Sequence, residues 1–113
     1  MINRGQIEEI LSLYAKHGWI LRRVLLSDEM RVNLTDALAD LFGAAEIVSS
    51  PLNALWFSRA SKSGEAWEIR HLSETPFALV EVFPSETDDN LRKEKLAELQ
   101  TLLLEKTSNL RKS

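Results

Sequence analysis

The stretch Ala54-Leu55-Trp56-Phe57-Ser58-Arg59-Ala60, Ser61-Lys62-Ser63-Gly64-Glu65, Ala66-Trp67-Glu68-Ile69-Arg70-His71-Leu72, Ser73-Glu74-Thr75-Pro76, Phe77-Ala78-Leu79-Val80-Glu81-Val82-Phe83 decides the fold. Three β-rich runs alternate with two clusters of turn-forming residues, which predicts a three-stranded antiparallel meander. With Ser63-Gly64 as a two-residue loop, Lys62 faces Glu65, Arg59 faces Glu68, Ala60 faces Trp67, Ser58 faces Ile69 and Trp56 faces His71. With residues 73–76 as the second loop, Trp67 faces Val82, Ile69 faces Val80 and His71 faces Ala78. This register gives one apolar face of Trp56, Ala60, Trp67, Ile69, Ala78, Val80 and Val82. The other face receives Leu55, Phe57, Leu72, Phe77, Leu79 and Phe83 together with Arg59, Glu68, Arg70 and Glu81. Side chains alternate with a period of two, so a slip of one residue would exchange the faces of a strand.

Towards the N-terminus, Ile7, Ile10, Leu11 and Tyr14 fall on one helical face, predicting a helix over residues 4–17. Asn3 with Gln6 suits a capping box, and Gly18 a left-handed stop. Trp19 to Leu26 reads as a strand in which the adjacent Arg22 and Arg23 put one charge on each face. A second helix carries Leu34, Leu38, Leu41 and Phe42, with Asn33 or Thr35 as its cap and Gly43 as its end. Towards the C-terminus, Pro84 closes the sheet and Ser85 or Thr87 caps a last helix of about 22 residues, a rod of about 33 Å. Asp88 and Asp89 at its start and Arg111 and Lys112 at its end suit the helix dipole. Leu96, Leu99, Leu103 and Leu110 form its seam, widened by Leu91, Leu102 and Leu104. The expected architecture is a single α+β domain over residues 1–113. It has an N-terminal helix, a strand, a short helix, the antiparallel three-stranded meander (a four-stranded sheet in total) and a long C-terminal helix packed on the sheet.

Composition limits the chemistry. The 113 residues contain no cysteine, which excludes disulfides, thiolate metal sites and a cysteine nucleophile. A hydrophobic share of 44% supplies a core, while a net charge of -3 argues against a nucleic-acid or anionic-membrane surface. No run approaches the roughly 18 apolar residues of a membrane span, and early acidic residues disfavour a secretory signal, so a cytoplasmic location is expected. Gly5, Gly18, Gly43 and Gly64 are scattered singly and build no phosphate loop. His17 and His71 form no paired ligand motif, and Asp88-Asp89-Asn90 lacks the spacing of a calcium loop. Ser49, Ser50, Ser58, Ser61 and Ser63 lack a nucleophile elbow. His71, opposite Trp56 and near Glu74, is the one candidate general base, and a histidine bonded to a backbone carbonyl is the commoner outcome for such a position. No catalytic residue, cofactor or metal is assigned, and an enzyme is not the expected reading. Arg22, Arg23, Arg31, Arg59, Lys62 and Arg70, with Trp56 and Phe57, imitate a base-stacking sheet, but residues 36–84 are the acidic part of the chain and would repel phosphate.

Two functions follow. The first is a non-enzymatic interaction or adaptor module, self-associating as a homodimer or docking a protein partner. It would use the second sheet face (Leu55, Phe57, Leu72, Phe77, Leu79, Phe83), the leucine side of the last helix (Leu99, Leu103), or both. Six large apolar side chains at roughly 1.5–3 kcal/mol each are costly to leave wet, and a lone domain of this size has few elements to cover them. The alternative is a small-ligand-binding domain or small enzyme with a pocket around Trp56, Trp67 and His71, assisted by Arg70.

Overall fold

The computed structural model describes residues 2–73 and 77–112, with side chains through residue 107. Its elements are α1 (Arg4–Lys16), β1 (Ile20–Leu26), α2 (Asp28–Asn33), a 3-10 turn (Thr35–Ala37), α3 (Leu38–Phe42), β2 (Glu46–Ser49), β3 (Ala54–Ser61), β4 (Gly64–His71), β5 (Ala78–Pro84) and α4 (Asp89–Lys112). Five strands make one mixed sheet in the order β2-β1-β3-β4-β5. β1 and β2 are parallel and every other neighbouring pair is antiparallel.

The α+β class is as expected, but the four-strand count misses β2. Four residues on an edge show too little alternation to be read as a strand. β2 lies parallel to β1, so the chain between them must cross over, and α2, the 3-10 turn and α3 fill that crossover. The expected single second helix is therefore two. Ser27 caps α2, its side chain accepting from the Met30 N–H at 3.2 Å, with Asp28 and Glu29 in the first turn. α3 ends at Gly43, which has φ +57°. In α1 the Asn3–Gln6 capping box forms as its spacing implies. At the other end, Gly18 at φ +84° donates to the Ala15 carbonyl and Trp19 to the Tyr14 carbonyl, a Schellman motif that turns Trp19 back beside Tyr14. α4 starts at Asp89, so Asp88 stands in the capping position rather than Ser85 or Thr87, and its carbonyl accepts from Arg92.

Both meander registers depart from expectation. Ser61 pairs with Gly64, so the turn is Lys62-Ser63 and the β3–β4 register moves by two. Trp56 now faces Ile69, Ser58 faces Trp67 and Ala54 faces His71, which keeps each side chain on its expected face. The Lys62–Glu65 and Arg59–Glu68 pairs are not formed, and Arg59 faces Ala66. The β4–β5 register moves by one: Ala66 faces Val82, Trp67 faces Glu81, Glu68 faces Val80 and Ile69 faces Leu79. That odd shift exchanges the faces of β5. The cause is a close approach at Gly64, which pairs with Pro84 while the Ser85 N–H donates to the Ser63 carbonyl at 2.7 Å. A Cβ on residue 64 would lie 1.9 Å from the Phe83 carbonyl oxygen, so only glycine lets β5 close here. The Glu74–Pro76 part of the expected second turn lies outside the described residues.

Helices cover the sheet on both sides. On one side α1, α2 and α3 enclose Ile2, Ile7, Val24, Leu26, Met30, Leu34, Phe42, Leu55, Phe57 and Leu72. On the other, α4 packs Leu103 with Leu25, Leu52, Ala54, Trp56 and Ile69, flanked by Trp67, Phe77, Leu79, Leu96 and Leu99. The suspected open face is thus an internal one over β1 and β3. What the helices leave bare on the α1 side is the β4–β5 corner, where Val80 is 51% and Val82 52% exposed.

Candidate functional site

A cleft of about 430 Å³ lies between α4 and the sheet, walled on the sheet side by Arg22, Arg23, Trp56 and Trp67. The two arginines share this side because of a bulge. The β1–β3 register shifts between Leu21 and Arg23, so Ile20 faces Ser58 and Arg23 faces Trp56, with Arg22 in between. A bulge sets two residues against one and re-aims a side chain. Arg22 is held on the α4 side by its Nε, which donates to the buried Ser58 hydroxyl at 2.7 Å. This corrects the expectation of one charge on each face.

α4 supplies the other wall through Lys93, Leu96, Ala97, Gln100 and Thr101, one helical stripe without an acidic residue. Trp56 donates its indole N–H to Gln100 Oε1 at 3.2 Å and meets Trp67 edge-on, with ring centroids 6.2 Å apart. Trp67 donates to Glu65 Oε1 at 2.9 Å, and Glu65 also takes an ion pair from Arg92. The Trp67 N–H and then the Arg92 guanidinium hold the Glu65 carboxyl below the usual glutamate range. Arg23 pairs with Glu46 at 3.0 Å, both exposed.

Of the four residues expected around a pocket, the structure brings Trp56 and Trp67 together and leaves the other two out. His71 is at the Ala54 end of β4, its Nδ1 3.1 Å from the Ser73 hydroxyl, and the expected neighbour Glu74 lies outside the described residues. Arg70 belongs to the opposite face and its Nη1 donates to the His71 carbonyl. Arg22, named in the sequence only as part of a base-stacking imitation, lines the cleft, as do Lys93, Gln100 and Thr101, which the sequence did not single out. The bulge has no local signature, whereas the polar stripe at 93, 100 and 101 was visible but hidden behind the leucine pattern.

The expected interaction residues are inside the chain. Leu55, Phe57 and Leu72 are buried under α1–α3; Leu103 is buried under α4, with Phe77, Leu79 and Leu99 packed beside it, and Phe83 is buried too. Among the described side chains of α4, the leucines that stay out are Leu91 and Leu102. The bare corner on the α1 side is a shallow depression floored by Ala66, Val80 and Val82 and edged by Trp19, Arg59 and Glu68. Its rim is rigid. The Arg59 guanidinium lies 4.5 Å above the Trp19 ring and donates to the His17 carbonyl at 2.9 Å. Tyr14 stacks on Phe57 at 4.1 Å and donates its hydroxyl to Glu68, and burial, then that bond, push the phenol above its ordinary range.

Among the described residues no group of three or more His, Asp or Glu is placed to hold a metal, and no helix is long and apolar enough to cross a membrane. Comparison with protein families, with curated proteins and with solved structures gives no match for the chain.

Proposed function

We propose that the chain is a non-enzymatic interaction module that self-associates through β5, extending its sheet into that of a second copy. The observation that supports this reading is the pair of half-exposed valines, Val80 and Val82, on an outermost strand whose α1 side no helix covers. An edge strand offers a row of unpaired N–H and C=O groups, and soluble proteins commonly blunt it with lysine. β5 has no lysine, and its one charge, Glu81, is on the α4 side beside Trp67. Antiparallel pairing about a two-fold axis at Val80 sets Ala78 against Val82 of the second copy and Leu79 against its Glu81. No like charges meet, and the apolar row continues across the junction. A two-fold interface needs such self-complementarity. At about 1 kcal/mol per half-exposed valine, two copies gain about 4 kcal/mol, to which the strand hydrogen bonds add. That suits a weak, concentration-dependent dimer rather than an obligate one.

Light scattering across about 5–500 µM tests it, since a micromolar dimer dissociates over that range. The expected mass rises from one chain to two, and Val80→Lys, which puts like charges at the axis, holds the protein at one chain with its thermal midpoint little changed. A single chain at the top of the range, or a dimer that survives Val80→Lys and Val82→Lys, overturns the proposal.

A further inference from the structure

We propose that the cleft between the sheet and α4 binds a small organic anion, its charge between Arg22 and Lys93 and its flat apolar body against Trp67. This goes beyond the association reading and sits on the opposite side of the sheet from it. Three features of the cleft carry it. First, the β1 bulge delivers Arg22 and Arg23 to one side, where an unbroken strand would have separated them. Second, Arg22 is positioned without an ion pair of its own, although it feels the Glu65 carboxylate at longer range. Its Nε is fixed by Ser58, while its two terminal nitrogens and the Lys93 ammonium have no partner among the described residues. The nearby carboxylates are committed, Glu65 to Arg92 and Trp67 and Glu46 to Arg23. Third, the chain carries a net charge of -3, yet the cleft lining is cationic with no acidic side chain.

The geometry also sets the size and shape of the occupant. A planar guanidinium whose Nη1–Nη2 edge is free, its Nε being held by Ser58, matches a phosphate or carboxylate, and the ammonium adds a second positive charge. Trp67, Leu96 and Ala97 supply the apolar walls, and the Gln100 amide and Thr101 hydroxyl supply neutral polar groups. About 430 Å³ fits a molecule of one or two rings. A few placed polar groups among aromatic walls is the usual make-up of such pockets.

Tryptophan fluorescence of the full chain reads the site, because Trp56 and Trp67 line it. The titrants are phenyl phosphate, inorganic phosphate, benzyl alcohol and a ten-nucleotide thymidine strand. The expected result is saturable binding of phenyl phosphate, with inorganic phosphate and benzyl alcohol each at least about tenfold weaker, because neither supplies both charge and ring. Arg22→Gln should weaken phenyl phosphate by about tenfold or more. Lys93→Gln, an exposed helical change that leaves folding alone, should do the same, while Arg31→Gln, bonded far off to Ser49, should change nothing. No saturable response to phenyl phosphate overturns the proposal, as does a response that Lys93→Gln leaves intact. Binding of the thymidine strand without phenyl phosphate overturns it in favour of a single-strand groove.

Discussion

Replacing Gly64 with alanine tests the feature that sets the register of β5. The added Cβ would lie 1.9 Å from the Phe83 carbonyl oxygen and 2.7 Å from both Pro84 C and Ser85 N. All three atoms are backbone in a paired strand, so no side chain can rotate away, and β5 must retreat by about 1 Å to restore an ordinary contact. The Ser85–Ser63 hydrogen bond, now 2.7 Å, would stretch past its working range. Its loss costs about 1 kcal/mol and the crowding about 1–3 kcal/mol more. A total near 3 kcal/mol lowers the thermal midpoint by about 12 °C in a domain of this size. Urea unfolding followed by tryptophan fluorescence measures it, with an unchanged m-value showing that the shift in midpoint is a loss of stability. Gly5→Ala is the control, because its Cβ would meet only the Asn3 side chain at 3.4 Å inside α1, and it should gain about 0.5 kcal/mol. If Gly64→Ala stays within about 0.5 kcal/mol of the wild type, the account of β5 closing on a glycine is wrong.

Tyr14 is the sole tyrosine, so ultraviolet absorbance titrates it alone. Its pKa is raised in the folded state, so its contribution to stability is full below the unfolded value of about 10 and is lost as pH climbs beyond it. Tyr14→Phe should flatten that alkaline loss, and a phenol titrating near 10 would refute the half-buried Tyr14–Glu68 bond. Leu103→Ala should cost about 3 kcal/mol by chemical denaturation, against less than about 1 kcal/mol for Leu102→Ala one position along on the half-wet side. Equal losses would mean that α4 is not packed on the face described.

Elements with local causes were legible in the sequence. The Asn3–Gln6 box, the glycines that end α1 and α3, and the β-rich runs each depend on residues within a few positions. The register of β5 was not, because it is fixed by Gly64 meeting Phe83 across a strand pair, and no turn residue encodes that contact. The error had a large effect: one residue of slip put Val80 and Val82 in the core and Leu79 and Phe83 outside it, the reverse of what is found. The suspicion of an incompletely covered sheet named Leu55, Phe57, Leu72, Phe77, Leu79 and Phe83, all of which are packed in the two half-cores or buried, whereas the half-exposed side chains are Val80 and Val82. For the pocket, the two tryptophans were found from their shared face on the paired strands. Arg22 was not, because a bulge is decided by the partner strand rather than by Arg22-Arg23 itself.

The two half-cores also have different addresses along the chain. The one beneath α1–α3 is drawn wholly from residues 2–72, whereas the other cannot close before Leu96, Leu99 and Leu103 exist. At about 5–20 residues per second, translation leaves an interval of a few seconds between those two points. Over that interval the residues of the first half-core are all synthesised, while Trp56 and Ile69 still lack the helix that covers them in the finished fold. Until α4 is made, the Trp56 side of the sheet has no helix in the chain to cover it.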